Sequence, residues 1–568
     1  MDKTGQRKCA NKRGLLRLIV VAAFCCAFVA AAFVAVFGGQ TGTGRDSSFA
    51  QKVRLLVAPP TWVHYAKKSE QSGELVLKVE GGKAALYAAG SVDASDVLNV
   101  DNDADYQMPG ENSPFWSSPS EYKTQDGFLT DIDRDGATEM ILLVWKRGRF
   151  GKHRPFWITS DERCYSQHIF IYDVGSGAQK GIDGNESGHD SVISGVVSQK
   201  WFASDIGVDV KRMKLLNEGS ATSEAVLLTE DIDGNCALWH WESFGLKTMD
   251  NEVAFLAFGD NLIHKSIYEY AYAHESGSFD YLYEPFKEEI MAADVAAFNA
   301  ETVLVDKESA VSGYPQFGSP LAVGKALAAA GFDVASCANN HALDKGIYGI
   351  EVTSSFYKDN GITCVGIQGS SETQYRPYEV ITRNGIRIAL LSYTYGTNGI
   401  DASDKYPYAV HYLPGNASEQ GADSIEEGSD TAIDQDFFSE DRLVMDIQDA
   451  RNDADFVVVF AHWGDEYETD VSDYQKHMAD VMAKAGADVI IGSHPHVVQE
   501  TEVIDRGDGG QTLVYYSLGN FVADQGKVKR SSDGQAVETG GAKALFTIEH
   551  CYDGVRIKSW DIREIHPD

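Results

Sequence analysis

"YQKHMADVMAKAGADVIIGSHPHVVQ" occupies Tyr474 to Gln499. It reads as a helix closed by Gly486, then the buried strand "ADVII", then His494 and His496. A helix, a glycine stop and a wholly apolar strand make one unit of an alternating α/β fold. That strand delivers two imidazoles at its end. Residues two apart on an extended chain point to one side, and Pro495 biases His494 towards extended geometry. The pair is therefore expected to face one ion or two neighbouring ions.

In open α/β sheets, ligands gather beyond the carboxyl ends of the strands, so every comparable run matters. "EVAFLAFGDNLIH" is a strand followed by Gly259, Asp260, Asn261 and His264. "ADVAAFNAETVL" leads to Asn299 and Glu301, and "LAVGKALAAAGFDVASCANNHALD" is a helix, a stop at Gly331, a strand, then Asn339, Asn340 and His341. "DADFVVVFAHWGDEYE" ends at His462, with Asp465 and Glu466 close behind. Each run ends in carboxylate, amide or imidazole, the groups that bind borderline divalent metals. One strand-end histidine is commonly a hydrogen-bonded structural residue, and "NNH" alone suits an Asn-rich turn. The same chemistry at five strand ends points to a metal centre.

Outward from this region the chain is 568 residues long with a formal charge of −35. Such acidity repels polyanions and, without a basic stripe, excludes nucleic-acid binding. The N-terminus is the exception. Basic residues in 1–17 precede an uncharged run at 18–37, long enough to span a bilayer. The expectation is a cytoplasmic tail, a single transmembrane helix and an extracellular bulk. A cleaved signal peptide is the alternative. Residues 38–52 read as a Gly/Ser/Thr-rich linker. The remaining cysteines, Cys164, Cys236, Cys337, Cys364 and Cys551, are odd in number and widely spaced, and form no disulfide framework.

Residues 53–249 read as a β-rich domain of short apolar runs between Gly, Asp and Pro clusters. "FLTDIDRDGATEMILLVW" from Phe128 and "LLTEDIDGNCALWHW" from Leu227 echo each other, resembling FG-GAP-type propeller repeats. In the first, Asp131, Asp133, Asp135 and Glu139 surround Gly136 and suit calcium; a solvated turn is the alternative. Trp116, Trp145, Trp157, Trp201, Trp239 and Trp241 are candidates for stacking on wall sugars, with core packing the plainer reading. Residues 252–568 form the α/β domain, interrupted by an insertion at 414–437 with seven acidic and no basic residues, read as a surface loop and candidate lid.

The phrases "GDNLIH", "AGFDVASCANNHALDKG", "AHWGDEY", "GADVIIGSHPHVVQ" and "YYSLGNFV" resemble the poly-γ-glutamate capsule-biosynthesis family of CapA-like proteins, itself similar to calcineurin-like metallophosphoesterases. The likeness runs from about Val253 to Ile565. It implies a two-layer β-sandwich flanked by helices, with two divalent metals at the strand ends. It assigns Asp260 to the first-motif aspartate, Glu301 to a bridging carboxylate, Asn340 to a side-chain oxygen ligand, and His462, His494 and His496 to imidazole ligands. His341 would be catalytic, facing the leaving group. Two departures stand out. Leu262 occupies the place of a motif histidine, with His264 its candidate replacement, and Glu301 stands where aspartate is usual. Manganese, iron or zinc suits the mixed N/O donors.

The resemblance further implies hydrolysis of a phosphoester, with an amide or ester carbonyl the alternative, and a role in synthesis, export or attachment of an anionic envelope polymer or its precursor beside a membrane-embedded polymer synthase. The alternative is a non-catalytic, membrane-tethered scaffold of the polymer-synthesis complex.

Overall fold

The computed structural model describes residues 55, 58–73, 75–89, 114–151, 154–175, 196–216, 225–400, 402, 405–415 and 437–565. The expected tail (1–17), membrane helix (18–37) and linker (38–52), and residues 416–436 of the acidic insertion, lie outside these. Among the described residues no helix is long and apolar enough to cross a membrane. The chain divides into two compact units, Met1–Thr248 and Met249–Asp568.

Among its described residues the first unit contains three four-stranded antiparallel sheets in chain order. The middle sheet begins with Lys123–Thr130 and Thr138–Arg147. Alternation on Thr138–Arg147 sends Met140, Leu142 and Val144 into the core shared with the preceding sheet. Ile141 and Leu143 enter the core shared with the following one. A strand buried on both faces has to be apolar throughout, which explains "EMILLVW". The two echoing sequences are both hairpins, but one joins the first and second strands of its sheet and the other the second and third. The echo is therefore not the period of the sheets, and the described residues form no closed ring. Trp145 is buried, Trp157 is 68% exposed, and Trp116, Trp201, Trp239 and Trp241 pack against the cores.

The second unit is mixed α/β. Its main strands are β1 (Glu252–Asn261), β2 (Val295–Asn299), β3 (Val334–Ser336), β4 (Thr363–Val365), β5 (Tyr378–Arg383), β6 (Ile386–Thr394), β7 (Phe456–His462), β8 (Val489–Ser493), β9 (Thr501–Asp505), β10 (Gln511–Tyr515), β11 (Asn520–Val522), β12 (Gly541–Cys551) and β13 (Gly554–Ile565). One sheet runs β4-β3-β2-β1-β12-β13, with β11 also on β1; the other runs β5-β6-β7-β8-β10-β9. Strands β1 to β4 are mutually parallel, as are β6, β7, β8 and β10.

The two sheets meet through one apolar core. Phe255 and Ala257 of β1 and Val458 and Phe460 of β7 all enter it, and Phe456 lies 6.3 Å from Phe546 across it. The alternate residues face helices. Leu256 and Phe258 pack with α2 (Leu321–Ala330) and α3 (Gly346–Asp359), while Val457, Val459 and Ala461 pack with α4 (Glu440–Asp453) and α5 (Asp473–Ala485). This double burial makes "FVVVFA" continuously apolar. Truncating Phe460 to Ala would cost about 3–5 kcal/mol. Helices α2 and α5 stop at Gly331 and Gly486, both left-handed at φ 101° and 116°, as their sequences predict. Helix α5 starts on a capping box in which Ser472 and Gln475 satisfy each other's backbone N–H groups.

Candidate metal centre

The parallel strands of both sheets end at one place. Asp260 lies at the end of β1, Asn299 ends β2 with Glu301 two residues on, and Asn339, Asn340 and His341 follow β3. His462 ends β7, and His494 follows β8 directly. Two glycines let the chain close around this point. A Cβ at Gly259 would sit 1.9 Å from the Gly519 carbonyl oxygen, and one at Gly492 would sit 1.9 Å from that of Tyr516. The "YYSLGN" turn thereby presses against both sheets and brings Asn520 to the site.

Two overlapping sets of donors result. Asp260, Glu301 and His496 offer ligand atoms within 4.8 Å of one another, and so do Glu301, His462 and His494. All five side chains are buried. Glu301 belongs to both sets. Its Oε1 lies 3.6 Å from His462 Nε2 and 3.8 Å from His496 Nε2. Asn340 Oδ1 is 3.1 Å from His462 Nε2. The outer faces of these groups are held. His462 Nδ1 meets Ser493 Oγ at 2.9 Å. Asn299 Nδ2 donates to Asp260 Oδ1 at 2.8 Å. His496 Nδ1 lies 2.9 Å from Asp260 Oδ2 and 3.0 Å from Asn520 Oδ1.

Inside, both Glu301 oxygens, His494 Nδ1 and Asn299 Oδ1 are buried with no hydrogen-bond partner. Buried polar atoms are normally satisfied. Burial first, and the Asp260 carboxylate second, raise the Glu301 acid well above the usual range. Burial first, and neighbouring imidazoles second, push His462 and His494 well down. A neutral imidazole presents a free lone pair, as a metal ligand must. Orphaned N and O donors of this kind fit divalent cations of borderline hardness.

Residues 254–525 match the family model described as "Bacterial capsule synthesis protein PGA_cap". The second unit contains a CapA-like domain. It is similar to the PGA biosynthesis protein CapA of Bacillus subtilis (strain 168), 35% identical over 202 residues, covering 36% of this chain and 45% of that protein. It is also similar to the capsule biosynthesis protein CapA of Bacillus anthracis, 34% identical over 207 residues, with coverages of 36% and 43%. The chain spans less than half the length of these two relatives. A solved hypothetical protein of Thermus thermophilus aligns at 14% identity over 55% of this chain and all of its own, with a TM-score of 0.31, too low to speak for the fold.

The CapA-like domain departs from the sequence expectation at three points. His494 and His496 are not extended: their φ angles are 100° and 58°, and β8 ends at Ser493. Left-handed geometry is costly for a residue with a Cβ. The packed turn, not local preference, therefore aims the two rings, and they enter different donor sets. His264 joins neither set. Its Nδ1 accepts the Asp524 N–H at 3.1 Å, and it precedes helix α1 (Lys265–His274). Third, groups that the strand ends did not single out surround the site. Asp344 Oδ2 lies 2.8 Å from His341 Nδ1 and accepts the Phe317 N–H at 2.6 Å. The Tyr395 ring lies 4.6 Å from that of His494, and the Tyr467 ring 6.0 Å from that of His496. Lys529 Nζ sits over Tyr467 at 5.2 Å. Asp344, three residues after His341 in "NNHALD", and Tyr467, at the end of "AHWGDEY", carried a signal; Tyr395 and Lys529 carried none.

In the first unit Asp131, Asp133 and Glu139 also converge within 4.8 Å. A cation is already there. Lys200 Nζ lies 2.5 Å from Asp133, 2.9 Å from Glu139, 3.1 Å from Asp173 and 3.7 Å from Asp135. Calcium at this turn would have to displace the ammonium group.

Proposed function

We propose that the CapA-like domain holds two divalent transition-metal ions and hydrolyses a phosphoester in an anionic envelope polymer or its precursor. The reading includes tethering by residues 18–37 to the bacterial cell membrane, with the bulk of the chain outside, and a polymer synthase as neighbour. The names of the two Bacillus relatives support the capsule assignment. Two sheets sharing one core, with helices outside, support a metallophosphoesterase-like architecture.

One observation carries the chemistry: Glu301, buried and without a hydrogen-bond partner, is common to both donor sets. In the proposal Asp260, Glu301 and His496 hold one ion, and Glu301, His462, His494 and Asn340 hold the other. When bound, such a pair would neutralise charge on the ester and lower the pKa of water. The protein's own residues do the rest. The Asp344 carboxylate accepts the His341 Nδ1–H, which orients the ring. With the ring doubly protonated, the His341 Nε2–H supplies the leaving oxygen with its proton. Tyr395 and Tyr467 wall the site against bulk water, and Lys529 attracts the anionic substrate.

The test is turnover of a chromogenic phosphodiester by purified protein. His341→Ala is expected to lower kcat by about 10²–10⁴-fold while metal content stays unchanged. Equal turnover by wild type and variant rules the role out. The scaffold reading draws on His264, whose Nδ1 is engaged by the Asp524 N–H and which is not among the converging groups Asp260, Glu301 and His496. Absence of turnover, with co-purification of a membrane synthase, selects it.

A further inference from the structure

Two cysteines far apart in sequence meet beside the CapA-like site. Cys337 follows β3, and Cys364 lies in β4, its parallel neighbour. Ala335 and Cys364 are register partners. Partners across a ladder share a face, as do residues two apart along a strand, so Cys337 and Cys364 point to the same helix-covered side. Both pack in the core beneath α3. The Cys337 N–H donates to the Val365 carbonyl at 2.9 Å, which ties the strands at that level. The two Sγ atoms are 3.3 Å apart. A disulfide has sulfurs at about 2.05 Å, so a bridge needs the two Sγ atoms to close by only about 1.2 Å. Cys337 is 3% exposed, whereas Cys364 is partly open to solvent.

We propose that Cys337 and Cys364 form a disulfide by exchange with a disulfide oxidant, closing a loop around the segment that carries Asn340 and His341. The Cys364 thiolate attacks one sulfur of the oxidant, whose S–S bond breaks and releases one thiol, leaving a mixed disulfide on Cys364. Cys337 gives up its proton and attacks the Cys364 sulfur. The protein disulfide forms, and the second thiol leaves. Two protein thiols are oxidised and one oxidant disulfide is reduced, with two electrons transferred. Burial raises the Cys337 thiol well above its ordinary range, so the second step is expected to quicken with rising pH.

The bridge would act on the site through one short relay. The Cys337 carbonyl accepts from Asn339 Nδ2 at 3.2 Å, and Asn339 Oδ1 accepts the His341 N–H at 3.0 Å. Fixing Cys337 therefore steadies the root of the loop from which His341 projects. The bridge needs neither bound metal nor catalytic turnover, so it stands or falls separately from the hydrolase reading.

The test uses reduced full-length protein incubated with oxidised glutathione, quenched with N-ethylmaleimide, unfolded and peptide-mapped. The expected result is a cross-linked peptide joining Cys337 to Cys364, with both thiols closed to alkylation. Cys337→Ser is expected to trap a stable glutathione adduct on Cys364, because the resolving thiol is gone. Wild type in which both cysteines remain alkylatable overturns the proposal. So does wild type that holds glutathione on Cys364 without cross-linking.

Discussion

Asp344 shows how one carboxylate sets the behaviour of a neighbour. It lies 2.8 Å from His341 Nδ1 and is itself anchored by the Phe317 N–H. Asp344→Asn keeps the shape and can still set an amide oxygen against the ring, but it removes the negative charge that faces the protonated imidazole. The expected outcome is a fall in kcat of about 10²–10⁴-fold with metal content preserved, measured by turnover alongside elemental analysis. An unchanged kcat contradicts the role. His411 gives a residue-scale test of stability. It is buried against Gln368, and burial, with the Arg376 and Arg442 charges, pushes its pKa down from 6.5 to about 3. The unfolded chain thus takes up a proton below pH 6.5 that the folded chain refuses. Stability from neutral His411 is whole above that pH and is lost as pH falls towards about 3. Between pH 6 and 4 the wild type should lose about 2 kcal/mol more than His411→Asn in denaturant melts. Equal slopes contradict this. At this scale the sequence was informative about residue type. Asp260, Glu301, His462, His494 and His496 stand at strand ends as bare carboxylates and imidazoles, and the fold gathers them. Local pattern could not show that His264 turns to Asp524, 260 positions away.

Elements explain why the rings point as they do. The alternation of helix and apolar strand was legible, as were the glycine stops at Gly331 and Gly486, because these follow from local period and backbone freedom. The extended geometry expected of "SHPH" was not observed, because the Tyr516–Gly519 backbone packs against β1 and β8 and overrides the chain's own preference. Gly492→Ala tests that packing. Its new methyl meets a backbone oxygen and the Trp463 ring at once, so a loss of about 2–4 kcal/mol and lower metal content are expected. A variant as stable as wild type contradicts the packing argument. In the first unit the acidic turn was legible, but Lys200 was not. It comes from another strand, 61 residues from Glu139. Lys200→Ala strands a carboxylate cluster without its cation. Its melting temperature should fall and calcium should restore it, while wild type should melt alike with or without calcium. A calcium-induced rise in wild type contradicts the lysine's role.

For the whole molecule, the net charge of −35 and the proposed anionic substrate are reconciled only if cations are concentrated at the point of contact. A charged surface acts over about 8 Å at physiological salt, whereas a bound ion would act directly on the proposed ester. The two sheets of the second unit end their parallel strands at one locus, and Glu301 sits where the two donor sets overlap. Elemental analysis of protein purified without chelators tests this most directly. Wild type is expected to carry two transition-metal ions per chain, and Glu301→Ala fewer than one, because a shared ligand is lost to both sets. Wild type that carries no transition metal, or Glu301→Ala that keeps the full complement, contradicts the two-ion centre.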